Sequence, residues 1–220
     1  MNKFPFANIE KNFDNHISKS IRGYDQLHDD VIKLSRYFVQ DGTNVYDVGC
    51  STGKTIRKII ETNKDRKCFY AGLEPCKDFK LPDFDTVNGI RFFSQTLETF
   101  ALYDCSFITA LFTFQFIPYK MKSQQLKSIH NGLIEGGGFV IAEKVLAETP
   151  ALQDTFNSIY HEYKLDNFSQ ADIFKKEQDL RGLLYLNKQS ELEAMLRVAG
   201  FTNIQPFWQN HMFVGLLCVK

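Results

Sequence analysis

The chain has 220 residues, of which 44% are hydrophobic and 24% are charged, a composition typical of one globular domain. Its 26 Lys and Arg balance its 26 Asp and Glu, so the formal net charge is zero. This balance does not favour strong direct binding of nucleic acid, which needs clustered positive charge. The N-terminus carries charges and a proline where a signal peptide has an apolar run, and no run approaches the ~18 apolar residues of a membrane span. We therefore expect no membrane contact.

The cysteines point to a reduced protein. Their number is five, which is odd, and no two of them have Cys-x-x-Cys spacing. Both facts argue against a disulfide framework and against a zinc site, so we expect a cytoplasmic protein without a bound metal. The cysteines are Cys50, Cys68, Cys76, Cys105 and Cys218.

Helical patterning predicts an N-terminal helical cover over residues 10–40, with a break at Gly23-Tyr24. Beyond it, short apolar strands alternate with amphipathic helices, which predicts a mostly parallel sheet with helices on both faces. The glycines of "EGGG" (135–138) are expected to end one of these helices. The predicted strands are 44–49, 67–75, 89–96, 105–117 and 138–144, and the helices between them are 51–62 and 120–133.

The pattern changes over residues 149–184, which predict a polar helical insertion that serves as a lid or an interface. Residues 188–200 return to an amphipathic helix, and two final strands flank a tight turn at Asn210-His211. We therefore predict a single α/β domain over residues 1–220. It has a Rossmann-like, mostly parallel sheet and an antiparallel C-terminal strand.

The stretch "VYDVGCSTGKT" (45–55) fits three kinds of active-site loop. A phosphate-binding P-loop requires four residues between its glycines, and only three separate Gly49 from Gly53. A hydrolase nucleophile elbow requires a loop from an earlier strand, and no strand is predicted before residue 44. The third kind, the opening loop of a cofactor-binding α/β unit, fits best. Lys54 and Thr55 are then expected to be ordinary first-turn helix residues.

A carboxylate at the end of the second strand narrows the choice of cofactor. Glu74 lies about 25 residues after Gly49, where a carboxylate accepts hydrogen bonds from both ribose hydroxyls. A dinucleotide is disfavoured, because Ser51 and Lys54 interrupt the Gly-x-Gly-x-x-Gly pattern that a pyrophosphate needs. A nucleoside cofactor without phosphates remains, and S-adenosylmethionine (SAM) is the common one.

Several segments carry a resemblance to known families. "VYDVGCSTG", "GLEP", "LFTFQFI" and "GLIEGGGFVIAEK" are similar to the class I SAM-dependent methyltransferases. "FDNHISKSIRGYDQL" and "AGFTNIQPFWQNHMFVGLLCVK" resemble the carboxy-SAM synthase family, and the likeness extends from about Phe13 to Lys220. It implies a Rossmann-like class I methyltransferase fold, transfer of a carboxyl group from prephenate to the SAM methyl, and a homodimer with the insertion at or near its interface. The product, carboxy-SAM, serves wobble-uridine (uridine-34) modification in tRNA.

The resemblance also assigns site residues. Tyr24 falls on a cofactor-contacting and catalytic tyrosine, the glycine loop supplies contacts, Glu74 is the ribose acid, and Gln95 with Thr96 lies beside the adenine. The full set of expected cofactor-binding positions is Tyr24, Asp47, Gly49, Cys50, Ser51, Glu74, Pro75, Gln95, Thr96 and Leu111.

Two positions depart from the family pattern. Leu111 stands where the family has Asn, and Glu177 stands where it has the arginine that holds the added carboxylate; a Glu there repels a carboxylate. We expect Arg181, one turn further on, to replace that arginine as a catalytic residue, with Lys175, Lys176 and Arg22 as the other candidates. The departures keep two alternatives open: an ordinary SAM methyltransferase acting on a small acceptor, and a non-catalytic SAM-binding or regulatory protein.

Overall fold

The computed structural model describes residues 13–220, so residues 10–12 of the predicted N-terminal cover lie outside it. Within the described residues the helices are α1 (Phe13–Ser20), α2 (Tyr24–Phe38), α3 (Lys54–Thr62), α4 (Tyr119–Gly132), α5 (Pro150–Leu165), α6 (Gln170–Leu180) and α7 (Gln189–Ala199). The strands are β1 (Asn44–Val48), β2 (Phe69–Leu73), β3 (Phe84–Asp85), β4 (Ile90–Phe93), β5 (Cys105–Leu111), β6 (Leu133–Lys144), β7 (Asn203–Asn210) and β8 (Phe213–Val219).

All eight strands form one sheet in the order β3-β4-β2-β1-β5-β6-β8-β7. The five strands from β4 to β6 are parallel, whereas β3, β8 and β7 pair antiparallel with their neighbours. The chain starts at the centre with β1, builds outward to β4, and then returns to β5 on the other side. This reversal of strand order opens a crevice beyond the carboxyl ends of β1 and β5, where ligands bind in open parallel sheets.

The core lies on both faces of the sheet, as a parallel sheet requires. On one face, Leu126 of α4 and Leu196 of α7 are fully buried against the strands. On the other, Leu27 of α2 and Ile56 of α3 are fully buried as well. The predicted sheet covered by helices on both faces is therefore confirmed.

The predicted strand over residues 105–117 is wrong in its second half. β5 ends at Leu111, because Phe112 has a left-handed backbone with φ of 57° and its N–H donates to the Ala142 carbonyl at 2.6 Å. The residues that follow, Phe114–Phe116, form a short 3-10 helix. The apolar run thus turns out of the sheet at the very edge where the crevice opens.

The "EGGG" glycines also differ from expectation, since α4 ends at Gly132 and they lie within β6. A Cβ on Gly138 would lie 2.7 Å from the Phe38 ring, so glycine here permits close packing of α2 on the sheet. The strand β3 was not predicted because it is only two residues long.

Three further predicted elements are present. Gly23, with φ of 79°, separates α1 from α2. Residues 149–184 contain the helices α5 and α6, and β7 and β8 flank the turn at Asn210-His211. No helix within residues 13–220 is long and apolar enough to cross a membrane.

Candidate functional site

A cavity of about 440 Å³ lies beyond the carboxyl ends of β1, β2, β5 and β6. The N-terminal helix α1 and the insertion helices α5 and α6 contribute to its walls. Every cofactor-binding position expected from the sequence lines it. These are Tyr24, Asp47, Gly49, Cys50, Ser51, Glu74, Pro75, Gln95, Thr96 and Leu111.

The glycine loop after β1 forms the floor of this cavity. Gly49 has φ of 73°, and a Cβ there would lie 2.2 Å from Thr113 Oγ1, so only glycine fits between β1 and the segment that follows β5. Thr113 Oγ1 in turn donates to the Val48 carbonyl at 2.9 Å. The glycine therefore allows the two loops that border the crevice to touch.

Glu74 is held rigidly at the cavity wall. Its side chain is 8% exposed, Oε2 accepts a hydrogen bond from the Ser51 N–H at 2.9 Å, and Oε1 accepts one from the Cys76 N–H at 2.8 Å. Burial raises the pKa of Glu74, and the two N–H donors oppose that rise. Each oxygen keeps a further lone pair, which is what a pair of ribose hydroxyls requires.

Asp47, at the end of β1, has an oxygen without a partner. The residue is 2% exposed, and Oδ1 accepts from Thr109 Oγ1 at 2.8 Å. Oδ2 has no hydrogen-bond partner among the described residues. Burial raises the pKa of Asp47 to about 7, with the Glu74 carboxylate adding to the rise and the Thr109 hydroxyl opposing it. A buried acceptor without a partner is costly, so this oxygen fits a ligand that brings a donor.

An aromatic wall closes the cavity on the side of β6 and β8. The Tyr24 and Phe112 rings lie 6.1 Å apart, Phe112 and Phe213 6.0 Å, and Tyr160 and Phe213 5.5 Å. Aromatic faces attract cations, so this wall suits a ligand that carries a positive centre.

Two lysines flank the ring of Tyr160, of which Lys164 is buried and Lys144 is half-buried. The Lys144 ammonium, at the end of β6, lies 5.0 Å from the ring centroid, and the Lys164 ammonium, on α5, lies 5.1 Å from it. Both lysines line the cavity, and neither has a carboxylate within ion-pair distance among residues 13–220. Burial lowers the pKa of Lys164, and burial together with the Lys164 charge lowers the pKa of Lys144 to about 8. The Glu177 carboxylate opposes both changes. We call Lys144 and Lys164 the lysine pair.

The cations expected from the sequence lie elsewhere, with one exception. Lys176 lines the cavity, and burial lowers its pKa to about 8. Arg181 and Lys175 are exposed and are absent from the cavity wall, and Arg22 borders a separate, smaller recess. The structure therefore does not bring Arg181 to the site within one chain.

Glu177 is turned toward α5. Its Oε1 is hydrogen-bonded to His161 Nε2, which ties α6 to α5, and Glu177 does not line the cavity. The position that the resemblance assigns to the family's arginine thus joins the two insertion helices here, whereas lysines, among them the lysine pair, line the cavity. Lys144 had a signal in the sequence, since it ends a central strand at the ligand-binding edge.

Glu143 holds the loop that follows β5. It is 4% exposed, and its carboxylate accepts backbone hydrogen bonds from Thr113 at 3.1 Å, Phe114 at 2.8 Å and Gln115 at 2.5 Å. Because Thr113 and Gln115 line the cavity, this one buried side chain determines the shape of one of its walls.

Metal binding is not indicated, since the described residues contain no group of three His, Cys, Asp or Glu arranged to hold a metal ion. A nucleoside with a charged amino-acid tail fits better. Glu74 supplies acceptors for hydroxyls, Asp47 an acceptor for an ammonium group, and Gly49 the room for close backbone approach.

Comparisons with known proteins agree with this geometry. No family model matches the chain. Solved structures of the same fold include a SAM-dependent methyltransferase of Thermotoga maritima, 16% identical with a TM-score of 0.60 over 98% of each chain. Human N-acetylserotonin methyltransferase in complex with SAM is 14% identical, with a TM-score of 0.55 over 80% of this chain and 47% of that one.

Among curated proteins, the carboxy-SAM synthase of Staphylococcus epidermidis is 32% identical over 212 residues, covering 94% of this chain and 92% of that protein. The carboxy-SAM synthase of Trichodesmium erythraeum is 26% identical over 221 residues, covering 97% of this chain and 87% of that protein. The chain is therefore a SAM-dependent transferase with the class I methyltransferase fold. Within that class, it belongs to the carboxy-S-adenosyl-L-methionine synthase family.

Proposed function

We propose that this protein converts SAM and prephenate to carboxy-SAM, the cofactor for uridine-34 modification in tRNA. The observation that carries the proposal is the lysine pair, Lys144 and Lys164, which places one half-buried and one buried positive charge at the wall of the cavity. Plain methyl transfer to a neutral acceptor has no use for such charges. A carboxylated substrate and product do.

SAM takes the part of the cavity formed by the carboxyl ends of β1, β2 and β4. Glu74 accepts from the ribose hydroxyls, and Gln95 with Thr96 borders the adenine. Gly49 lets the loop backbone approach, and the Tyr24 ring lies beside the sulfonium end. The support for these roles is position: all of these residues line one cavity, and Glu74 is already oriented by two backbone N–H groups.

The lysine pair replaces the family arginine whose position is occupied by Glu177. Prephenate carries two carboxylates, of which one moves to the SAM methyl carbon and the other stays on the product. For the atoms to balance, three bonds break and one carbon–carbon bond forms. The bond from the prephenate ring to the migrating carboxylate, the bond from the ring to its hydroxyl and one methyl C–H bond break, and the carboxyl carbon bonds to the methyl carbon. The methyl proton leaves as water with the ring hydroxyl of prephenate, and an aromatic keto acid remains. Charge-assisted bonds from Lys144 and Lys164 hold the anionic groups in place throughout.

The protein's main contribution is alignment in a closed space. Helices α1, α5 and α6 help to wall the cavity, and its rings exclude water from the reacting atoms. Holding two reactants in contact geometry supplies a large part of an enzymatic rate enhancement, which explains why the site needs no nucleophile.

Purification without added ligand, followed by denaturation and mass spectrometry of the released small molecules, tests the reaction. We expect carboxy-SAM, heavier than SAM by one carbon dioxide, and we expect added prephenate to convert bound SAM to that species. Bare SAM that does not respond to prephenate, with methyl transfer to a small acceptor, would establish the ordinary methyltransferase instead. SAM binding without any turnover would establish a non-catalytic binding protein.

Glu74→Ala is expected to weaken SAM binding by about 2–4 kcal/mol, because two charge-assisted hydrogen bonds to the ribose are lost. Titration calorimetry with SAM measures the change. Asp78→Ala, which removes an exposed carboxylate four residues further on, is the matched control and leaves the affinity unchanged. Equal affinities for wild type and Glu74→Ala would contradict the assignment of the ribose to this residue.

The expected homodimer also belongs to the proposal. Three large apolar side chains of the insertion are exposed in the single chain, namely Leu152 and Leu165 on α5 and Phe174 on α6. Exposed apolar groups gathered on one insertion favour an interface between copies.

A further inference from the structure

Gln125, on α4, carries an acceptor at the cavity wall that the proposed reaction does not use. The residue is 7% exposed and lines the cavity, and its Oε1 has no hydrogen-bond partner among residues 13–220. A buried acceptor without a partner is costly unless a ligand brings a donor to it. The position is not among the cofactor-binding residues that the family resemblance assigns.

The cavity wall around Gln125 is apolar. Leu97, in the segment after β4, and Ile117, just before α4, line the cavity and pack in one core cluster. Met121 lines the cavity as well, and it lies one turn before Gln125 on the same helix, so the two side chains share a face of α4. An apolar wall that contains a buried acceptor suits an aromatic heterocycle that carries a donor.

The base of SAM is the part of the ligand that reaches this wall. Tyr24, beside the sulfonium end, packs in the core cluster of one face of the sheet, whereas Leu97 packs in the cluster of the other face. Glu74 adjoins the second side, because its backbone N–H donates to the carbonyl of Phe93, the last residue of β4, at 3.0 Å. With the sulfonium beside Tyr24 and the ribose on Glu74, the base extends toward Gln125.

Gln95 and Thr96, which the resemblance places beside the adenine, are less suited to select it. Both are exposed, so water competes for any hydrogen bond that they make to the base. Gln125 is buried, and a buried acceptor stays unpaired when the ligand lacks the donor. Discrimination among bases therefore depends more on Gln125 than on the two exposed residues.

We propose that Gln125 Oε1 accepts a hydrogen bond from the exocyclic amino group of the adenine of SAM, which makes Gln125 a specificity-determining residue for the base. The inference rests on the proposed function only in so far as an adenosyl compound is the ligand, and it does not depend on prephenate or on the lysine pair. Adenine presents a donor at carbon 6, whereas hypoxanthine presents a carbonyl acceptor there. The site therefore rejects an inosyl ligand.

Three ligands that differ only in the base test the contact. S-adenosylhomocysteine carries the amino group, its purine analogue has hydrogen in that place, and S-inosylhomocysteine has a carbonyl. Titration calorimetry measures their affinities. We expect wild type to bind the adenosyl ligand about 10-fold to 100-fold more tightly than the purine analogue, as the loss of one hydrogen bond to a buried acceptor implies. The inosyl ligand should bind no better than the purine analogue.

Gln125→Met keeps the length of the side chain and removes the acceptor. We expect the adenosyl-to-purine affinity ratio of this variant to fall to within about threefold of one. Because the ratio compares two ligands on the same protein, a partly unfolded fraction does not change it. Gln125→Glu keeps an acceptor in the same place and should retain the preference. Gln124→Met is the matched control, since Gln124 is the exposed neighbour on α4, and it should keep the wild-type ratio.

The outcomes separate this inference from the proposed reaction. Equal binding of the adenosyl and purine ligands by wild type, or a wild-type ratio in Gln125→Met, overturns the role of Gln125. So does a preference of wild type for the inosyl ligand, or a larger loss of the ratio in Gln95→Met than in Gln125→Met. Failure of wild type to bind any adenosyl ligand overturns both proposals. Wild type that shows the predicted preference but makes no carboxy-SAM refutes only the reaction.

Discussion

Replacing Glu143 with alanine is expected to lower the free energy of unfolding by about 3–5 kcal/mol, because three backbone donors in a buried loop lose their common acceptor. The donors are the N–H groups of Thr113, Phe114 and Gln115. Phe114 is 1% exposed, so water does not readily replace the lost acceptor. The variant also leaves the nearby buried ammonium of Lys122 without the favourable charge of Glu143.

Urea unfolding followed by circular dichroism measures this loss. Glu135→Ala is the matched control, since Glu135 lies on the same strand and is exposed, and it should change the unfolding free energy by less than about 0.5 kcal/mol. Glu143→Gln keeps one oxygen acceptor, which serves Thr113 and Phe114, so its loss should be smaller than that of alanine. A loss below about 1 kcal/mol for the alanine variant would refute the view that this carboxylate organises the loop.

The fold could be predicted from the spacing of apolar residues, because strand and helix patterns are local properties of the chain. Short apolar strands such as β1 and β2, separated by amphipathic helices, permit few arrangements other than a parallel sheet with helices on both faces. That sheet brings the carboxyl ends of its strands to one edge. For this reason the position of Glu74 beside the glycine loop could be predicted from two strand ends alone.

The end of β5 could not be predicted in the same way. "FTFQF" is as apolar as the strand before it, and a strand pattern gives no reason to stop at Leu111. The strand stops because Glu143, some 30 residues later in the sequence, takes the N–H groups that would otherwise continue the ladder. A contact between residues so far apart in the chain produces no pattern in the sequence around the end of the strand.

The prediction of Arg181 as the cation of the cavity wall failed for a related reason. Arg181 lies in the expected segment, but it is the C-cap of α6, is exposed and does not line the cavity. Which face of an insertion helix turns inward depends on tertiary packing, and α5 turns Tyr160 and Lys164 inward together, four residues apart. The sequence alone therefore predicted that a cation lines the cavity, but it did not identify Lys144 and Lys164 as the residues that do so.

Lys144→Met combined with Lys164→Met is expected to lower kcat/KM for prephenate by about 10²–10⁴-fold, because two charge-assisted contacts to the anionic substrate are lost. Methionine has nearly the length of lysine and packs against the Tyr160 ring without opening a void. SAM affinity should change by less than about threefold, since the adenosyl and amino-acid contacts lie elsewhere in the cavity. Each single variant should show a smaller loss than the double variant.

Conversion of SAM to carboxy-SAM at varied prephenate concentration measures the effect, with Lys175→Met as the control. Lys175 is an exposed lysine on α6 that does not line the cavity, and its replacement should leave kcat/KM unchanged. A double variant with wild-type kcat/KM would show that the anionic groups bind elsewhere. Turnover retained in Lys144→Arg, set against the lowered turnover of Lys144→Met, would show that the charge is the property required.

The pH dependence of kcat/KM tests the role of Lys144 and Lys164 independently. Burial and the Lys164 charge together lower the pKa of Lys144 to about 8, while the Glu177 carboxylate opposes the change. The anionic substrate binds the protonated lysine, which predominates below pH 8, so kcat/KM for prephenate should fall as the pH rises through about 8. SAM affinity does not depend on this proton and should show no such fall near pH 8. In the double methionine variant the decline near pH 8 should disappear, because the titrating groups are gone, and its persistence there would assign the decline to another residue.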